Sequence, residues 1–436
     1  MAPTETHAAQ AQERLRSLRS GALAGAHTLR LAGLGLTTFP REIFDLADTL
    51  EVLDLGDNAL TALPDDLGRL KALRVLFCSG NRFERLPSVL GDCQTLSQVG
   101  FRRSGLRELP AESLPPRLRW LTVTDNALES LPEALGRRPA LQKLMLSGNR
   151  LSALPDSLAE AGSLELLRLA ANDFAALPSW LLQLPRLAWL ALAGNPVDPP
   201  IRHAGGAIAW PTLELGALLG EGASGRVFAA TEASGARPLA IKLFKGAMTS
   251  DGLPASEMAA CLAAGDHPNL AGALARLTDH PEGLEGLVMP RLAAHWQGLA
   301  GPPSLQTCSR DVYDPALSLT AGQVVKLAGE VGSGAARLHA QGLLHGDLYA
   351  HNVLWDGAGG AAVLSDFGAA AFLRPDGAEA FQRMDVLAWG ILLGELIERC
   401  GEALPAGVAR LQAACVRTDL AQRPSMAEAL IELGRA

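Results

Sequence analysis

The segment "LEVLDLGDNALTALPDDLGRLKA" recurs with a fixed period, and that period constrains the fold more than any other feature. Its Asn position returns at Asn58, Asn81, Ser104, Asn126, Asn149, Asn172 and Asn195, in steps of 23, 23, 22, 23, 23 and 23 residues. A looser first copy carries Leu34 there, and Pro40, Pro64, Pro87, Pro110, Pro132, Pro155 and Pro178 keep the same phase. Units this short bury their leucines only against neighbouring units, so the array stacks around one continuous core. An Asn amide can satisfy backbone groups where the chain leaves each strand; the hydroxyl of Ser104 does so less fully. We expect about eight units over residues 27–198, behind a helical lead-in at 1–26.

The template LxxLxLxxN followed by xLxxLP resembles the leucine-rich repeat. That resemblance implies a solenoid whose short strands line a concave face. Side chains between the strand leucines alternate outward. They include Phe77, Arg102, Trp120, Lys143, Met145, Arg168 and Trp189. Two readings stand: a solvated face with stray aromatics, or a patch that binds a protein partner, since aromatics, Met and Arg are enriched at interfaces.

The period stops at "GNPVDPPIRHAGGAIAW", which reads as a linker over 199–211, and a different pattern follows over 212–436. "LGEGASGRVFAA" carries Gly220, Gly222 and Gly225, then Val227; Lys242 lies in the apolar strand "LAIKLF". Glu257 sits in the helical "PASEMAACLAAG", Asp347 and Asn352 in "HGDLYAHN", and Asp366 in "LSDFG". "DVLAWG" with Asp385 and "QRPSM" with Arg423 come later, in the same order.

This ordered set resembles the eukaryotic-type protein kinase, because the glycines lead into a strand bearing a lysine rather than into a helix. The resemblance covers about 213–436 and implies ATP and Mg2+ as cofactors. By resemblance, Lys242 meets the phosphates and pairs with Glu257, Asp347 accepts or orients the acceptor's proton, and Asn352 and Asp366 hold the metal. Val227, Ala240 and Leu354 would border the adenine, with Met289 as gatekeeper and Pro290 to Leu292 as hinge. Pro290 has no N–H to offer, but Leu292 can still donate.

Several positions depart from the family. Gly346 stands where an Arg normally answers an activation-loop phosphate, and 369–384 contains no Ser, Thr or Tyr. Only Glu379 offers an acid where an APE triplet is expected. Both losses together predict an enzyme not switched by phosphorylating that loop. Tyr349 replaces the lysine of Ser/Thr kinases. His351 falls where tyrosine kinases place an Arg, so it either contacts the phosphoryl group or packs. A polar, Pro-rich insertion occupies 301–318.

A net charge of −8 and a pI near 5.7 argue against nucleic acid or an anionic membrane as bulk partner. No apolar run approaches the roughly 18 residues of a membrane span. The six cysteines show no metal spacing and read as reduced thiols of a cytoplasmic protein. The expected architecture is an α/β leucine-rich-repeat solenoid followed by an α+β bilobal protein-kinase-like domain, resembling bacterial proteins of that two-part type. The expected function is a protein kinase, most consistent with Ser/Thr acceptors. A nucleotide-binding pseudokinase scaffold and a small-molecule phosphotransferase are the alternatives.

Overall fold

The computed structural model describes residues 5–199, 205–222, 224–233, 235, 237–246, 248–249 and 251–435. The first four residues of the expected lead-in and 200–204 of the expected linker lie outside them. The chain divides into two compact units, the first comprising residues up to Arg168 with Asn172–Leu184, the second Leu169–Ala171 with Pro185–Ala436.

The first unit opens with helix α1 (Glu5–Arg19), whose Ala11, Leu15 and Leu18 are buried toward strand β1 (Thr28–Arg30). Strands β2 (Val52–Asp54), β3 (Val75–Phe77), β4 (Gln98–Gly100), β5 (Trp120–Thr122), β6 (Lys143–Met145) and β7 (Leu166–Arg168) follow, each paired parallel to the one before. With β8 (Trp189–Ala191) they make an eight-stranded sheet in sequence order, as the period requires. The register aligns Leu29, Leu53, Leu76, Val99, Leu121, Leu144 and Leu167 as one fully buried row. Strand alternation then turns their neighbours away from that core.

The asparagines tie successive turns together. Asn126 Nδ2 donates to the carbonyls of Phe101 (2.8 Å), Val123 (2.9 Å) and Thr124 (3.2 Å), while its Oδ1 accepts from the amides of Ser104 and Leu106. Ser104 Oγ donates instead to Cys78 O at 3.2 Å and Arg102 O at 3.4 Å, with no amide-like acceptor to offer alongside. Each buried backbone group left without its partner costs about 1–3 kcal/mol. Asn126→Ala is therefore expected to lower stability by about 2–4 kcal/mol, clearly more than Ser104→Ala. Urea unfolding of both variants checks this; equal losses would mean the asparagine ladder carries no special load.

The second unit holds a six-stranded sheet ordered β10-β11-β12-β14-β13-β9. These are β9 (Gly206–Ala209), β10 (Leu213–Glu221), β11 (Gly225–Glu232), β12 (Pro238–Phe244), β13 (Ala275–Thr278) and β14 (Gly286–Pro290). Strand β9 arises inside the stretch read as linker and pairs parallel with β13. Leu239, Ile241, Leu243, Leu277 and Val288 form the core beneath the sheet, and helix α2 (Pro254–Ala264) accompanies it. The helical part contains α3 (Ala321–Ala340), α4 (Ala378–Glu398), α5 (Ala406–Cys415) and α6 (Met426–Arg435). A capping box between Thr320 and Gln323 starts α3, and Trp389 Nε1 pins α4 to α3 through Ala328 O at 2.9 Å. Among the described residues, no helix is long and apolar enough to cross a membrane. All six cysteines are free thiols.

Candidate active site

Strand β12 aims Lys242 at Glu257 on α2, and the two form an ion pair with side-chain exposures of 15% and 3%. Burial alone would lower the lysine's pKa; the Glu257 and Asp366 carboxylates outweigh it and raise Lys242 above its ordinary value. Asp366 adopts φ +60° and accepts from the Gly368 amide at 3.1 Å, while Phe367 is buried beside His345. A small cavity of about 140 Å³ brings together Gly222, Gly225, Val227, Lys242, Glu257 and Asp366, with Thr249 and Asp251.

Val227 also borders a second cavity of about 670 Å³, lined by Gly220, Ala240, Met289, Pro290, Leu292 and Leu354. The nine residues expected to bind the nucleotide thus line two spaces that share Val227, while Asp347 and Asn352 line neither. A Cβ at Gly220 or Gly222 would meet nothing within 4 Å, so the turn leaves open room beside its backbone. The donor set suits a nucleoside triphosphate: an apolar slot, a glycine turn and one fixed cation.

Asp347 and Asn352 form one hydrogen-bonded unit. Asn352 Nδ2 donates at 2.9 Å to both the Asp347 carbonyl and its Oδ2. The loop that carries them is held by Asp385, which is fully buried and accepts from the amides of His345 (2.8 Å) and Gly346 (3.0 Å) and from His339 Nε2 (3.0 Å). Burial would push the Asp385 carboxyl up; these partners pull it below the usual carboxylate range.

His351 belongs to a pairing that the sequence did not reveal. Asp311, from the 301–318 insertion, accepts from the His351 amide at 2.9 Å and meets its Nδ1 at 2.7 Å. Burial favours the neutral ring, but the Asp311 hydrogen bond and charge, with Asp347 and Asp366 nearby, raise His351 above its ordinary value. No motif marks Asp311; its only signal was an acid inside a polar insertion beside the cleft.

Glu379 pairs with Arg383 one turn on, at 2.7 Å, while Arg423 donates to the carbonyls of Arg417, Arg383 and Pro185. Trp189 is not an open-face side chain. It is 1% exposed, and within the second unit it stacks on Tyr349 at 4.0 Å and 8°. Met145 and Arg168 are buried as well. Phe77, Arg102, Trp120 and Lys143 are half-buried. Of these, Lys143 lies 4.2 Å over the Trp120 ring and Phe77 meets it edge-on.

Residues 213–389 match the protein kinase domain family, and residues 116–174 match the leucine rich repeat family. Leucine-rich repeats and a protein kinase domain share one chain. Mouse leucine-rich repeat and calponin homology domain-containing protein 1 is 32% identical over 125 residues, 28% of this chain and 17% of that protein. Mouse vasorin is 36% identical over 121 residues, 26% of this chain and 18% of its own. The probable inactive serine/threonine-protein kinase roco10 of Dictyostelium discoideum is 32% identical over 123 residues, 26% and 4%. The chain spans less than a fifth of the length of these curated relatives. All three are eukaryotic, so they do not support a bacterial source.

The His351–Asp311 pair makes a pH-dependent prediction. A histidine whose folded pKa is raised contributes stability fully below its unfolded value of about 6.5 and loses it as pH rises through the folded value. Asp311→Asn should therefore cost more stability at pH 6 than at pH 9. Thermal unfolding across that range checks it, and a penalty independent of pH would show a neutral packing contact.

Proposed function

We propose that the chain is a Mg-ATP-dependent protein kinase, acting on Ser or Thr, whose repeats recruit a protein partner. The observation that carries this reading is the convergence of Lys242, Glu257 and Asp366 on one cavity, with Asp347 and Asn352 joined on the neighbouring loop. Lys242 and the open glycine turn would hold the triphosphate. Asn352 and Asp366 would hold magnesium, which neutralises charge on the phosphates when bound. Asp347, kept in place by Asn352, would orient the acceptor hydroxyl and take its proton. A cytoplasmic setting fits the six free thiols; the likeness to bacterial two-part proteins is part of the proposal.

Loss of a positioned acid–base group costs about 10²–10⁴ in rate. Asp347→Ala is expected to abolish most phosphotransfer while nucleotide binding persists; Asp366→Ala should weaken magnesium-dependent binding too. Labelled-ATP transfer and calorimetry read the two effects. A wild type no faster than Asp347→Ala would turn the assignment to the second reading, a nucleotide-binding scaffold. The burial of Tyr349 beneath Trp189, beside the acceptor side of the loop, gives that reading its footing.

Recruitment through the repeats rests on the half-buried cluster of Phe77, Trp120 and Lys143, where an aromatic anchor at an interface can carry 2 kcal/mol or more. Trp120→Ala combined with Lys143→Ala should abolish capture of a protein partner and leave ATP turnover unchanged. Recovery of the same proteins by the double variant would remove this face from consideration.

A further inference from the structure

The backbone of the catalytic loop from His345 to Leu348 is accounted for almost group by group. The amides of His345 and Gly346 go to Asp385. The Asp347 amide goes to His345 Nδ1 and its carbonyl to Asn352. Two further carbonyls, those of Gly346 and Leu348, are taken by one short strand of the same unit, β8. Leu190 N–H donates to Gly346 O, and Trp189 Nε1 donates to Leu348 O, both at 3.0 Å.

Side chains continue the same contact. The Trp189 indole is stacked between the Arg310 guanidinium, 4.9 Å from its ring, and Tyr349. Tyr349 in turn lies 5.0 Å from the His351 ring, which Asp311 fixes. Below this column, Ala191 and Ala170 pack on Ala369, each 1% exposed or less. Farther along the activation segment, Arg374 Nε donates to Val197 O at 2.7 Å.

The sequence at the junction has the residue sizes that this approach demands. Gly346 has φ +72°, and a Cβ there would lie 2.3 Å from Leu190 O and 3.0 Å from Ala369 O. No side chain fits, so an arginine able to receive an activation-loop phosphate is excluded by the same strand that occupies its surroundings. Residues 369–371 are all alanine, and 369–384 offers no hydroxyl to phosphorylate.

We propose that strand Trp189–Ala191 is a positioning element of the catalytic loop and activation segment, standing in for the phosphate–arginine contact that orders such loops elsewhere. Trp189 and Leu190 are then positioning residues for Asp347, acting through Leu348, Tyr349 and Gly346. The proposal rests on the kinase reading for its effect on rate, but its effect on loop order is independent of it.

The test uses the full chain with Trp189→Ala, Trp189→Phe and Ala191→Val. Amide hydrogen exchange is followed over 345–352 and 366–372, with turnover and calorimetric binding of a non-hydrolysable Mg-ATP analogue beside it. Trp189→Ala should speed exchange in both segments and lower kcat about 10- to 100-fold, as small misplacements of catalytic groups do. KM for ATP should stay within about twofold, because Trp189 does not line the nucleotide cavities. Trp189→Phe keeps the stack without the indole N–H and should restore most of the loss. Ala191→Val, which crowds Ala369, should reproduce the defect if Trp189→Ala does not fold. Unchanged exchange over 345–349 in both Trp189→Ala and Ala191→Val would overturn the proposal. So would a rise in turnover, which would make the strand a cover over the acceptor side. If wild type turns over no more ATP than Asp347→Ala, the kinase reading fails alone, and the exchange measurements still decide the positioning role.

Discussion

One carboxylate, cut off from solvent, fixes the loop on which the candidate chemistry depends. Withdrawing an ion from water costs several kcal/mol, and Asp385 recovers that cost only by taking two backbone amides and a histidine at once. The arrangement leaves the Gly346 and Leu348 carbonyls facing the other way, where strand β8 meets them. Within the second unit this loop is thus held from two sides, by α4 through its acid and by strand β8 through its backbone. An arginine at position 346 would serve neither side.

The two halves of the chain differ in what their sequences could say. A stacked array repeats one local solution, so its period alone announced the short strands and the asparagines that tie neighbouring turns. The buried row from Leu29 to Leu167 was readable because alternation fixes which face a strand residue takes. Alternation also put Trp189 on the outward face, correctly as geometry. What covers that face is set by residues 159 positions later, and no pattern near Trp189 records it.

The kinase half was legible where chemistry restricts the residue type. Lys242, Glu257, Asp347, Asn352 and Asp366 were picked out through the family resemblance; the structure brings Lys242, Glu257 and Asp366 to one cavity and joins Asn352 to Asp347. Asp311 escaped because any acid in an insertion looks solvated until its partner, His351, is brought to it across 40 residues. Strand β9 escaped for a related reason. Four residues, "GAIA", are too short to show a period, and only pairing with β13 makes them a strand.

The glycines separate demands of folding from demands of a ligand. Gly225 is required by packing, since a Cβ would lie 2.5 Å from Leu243 O across the β11–β12 pair. Gly346 is required by Leu190 in the same way. Gly220 and Gly222 face open space, and neither has a positive φ. Glycine within or beside a strand is destabilising by about 0.5–1 kcal/mol relative to alanine. Here that cost brings no packing gain, but each residue has a local role: Gly220 lies at a register irregularity of the β10–β11 pair, and the Gly222 amide closes the turn onto Gly225 O at 2.9 Å. The room they leave adjoins a cavity that Gly222 shares with Lys242. The first two glycines of the motif leave open room beside the backbone, while the third is required by the sheet.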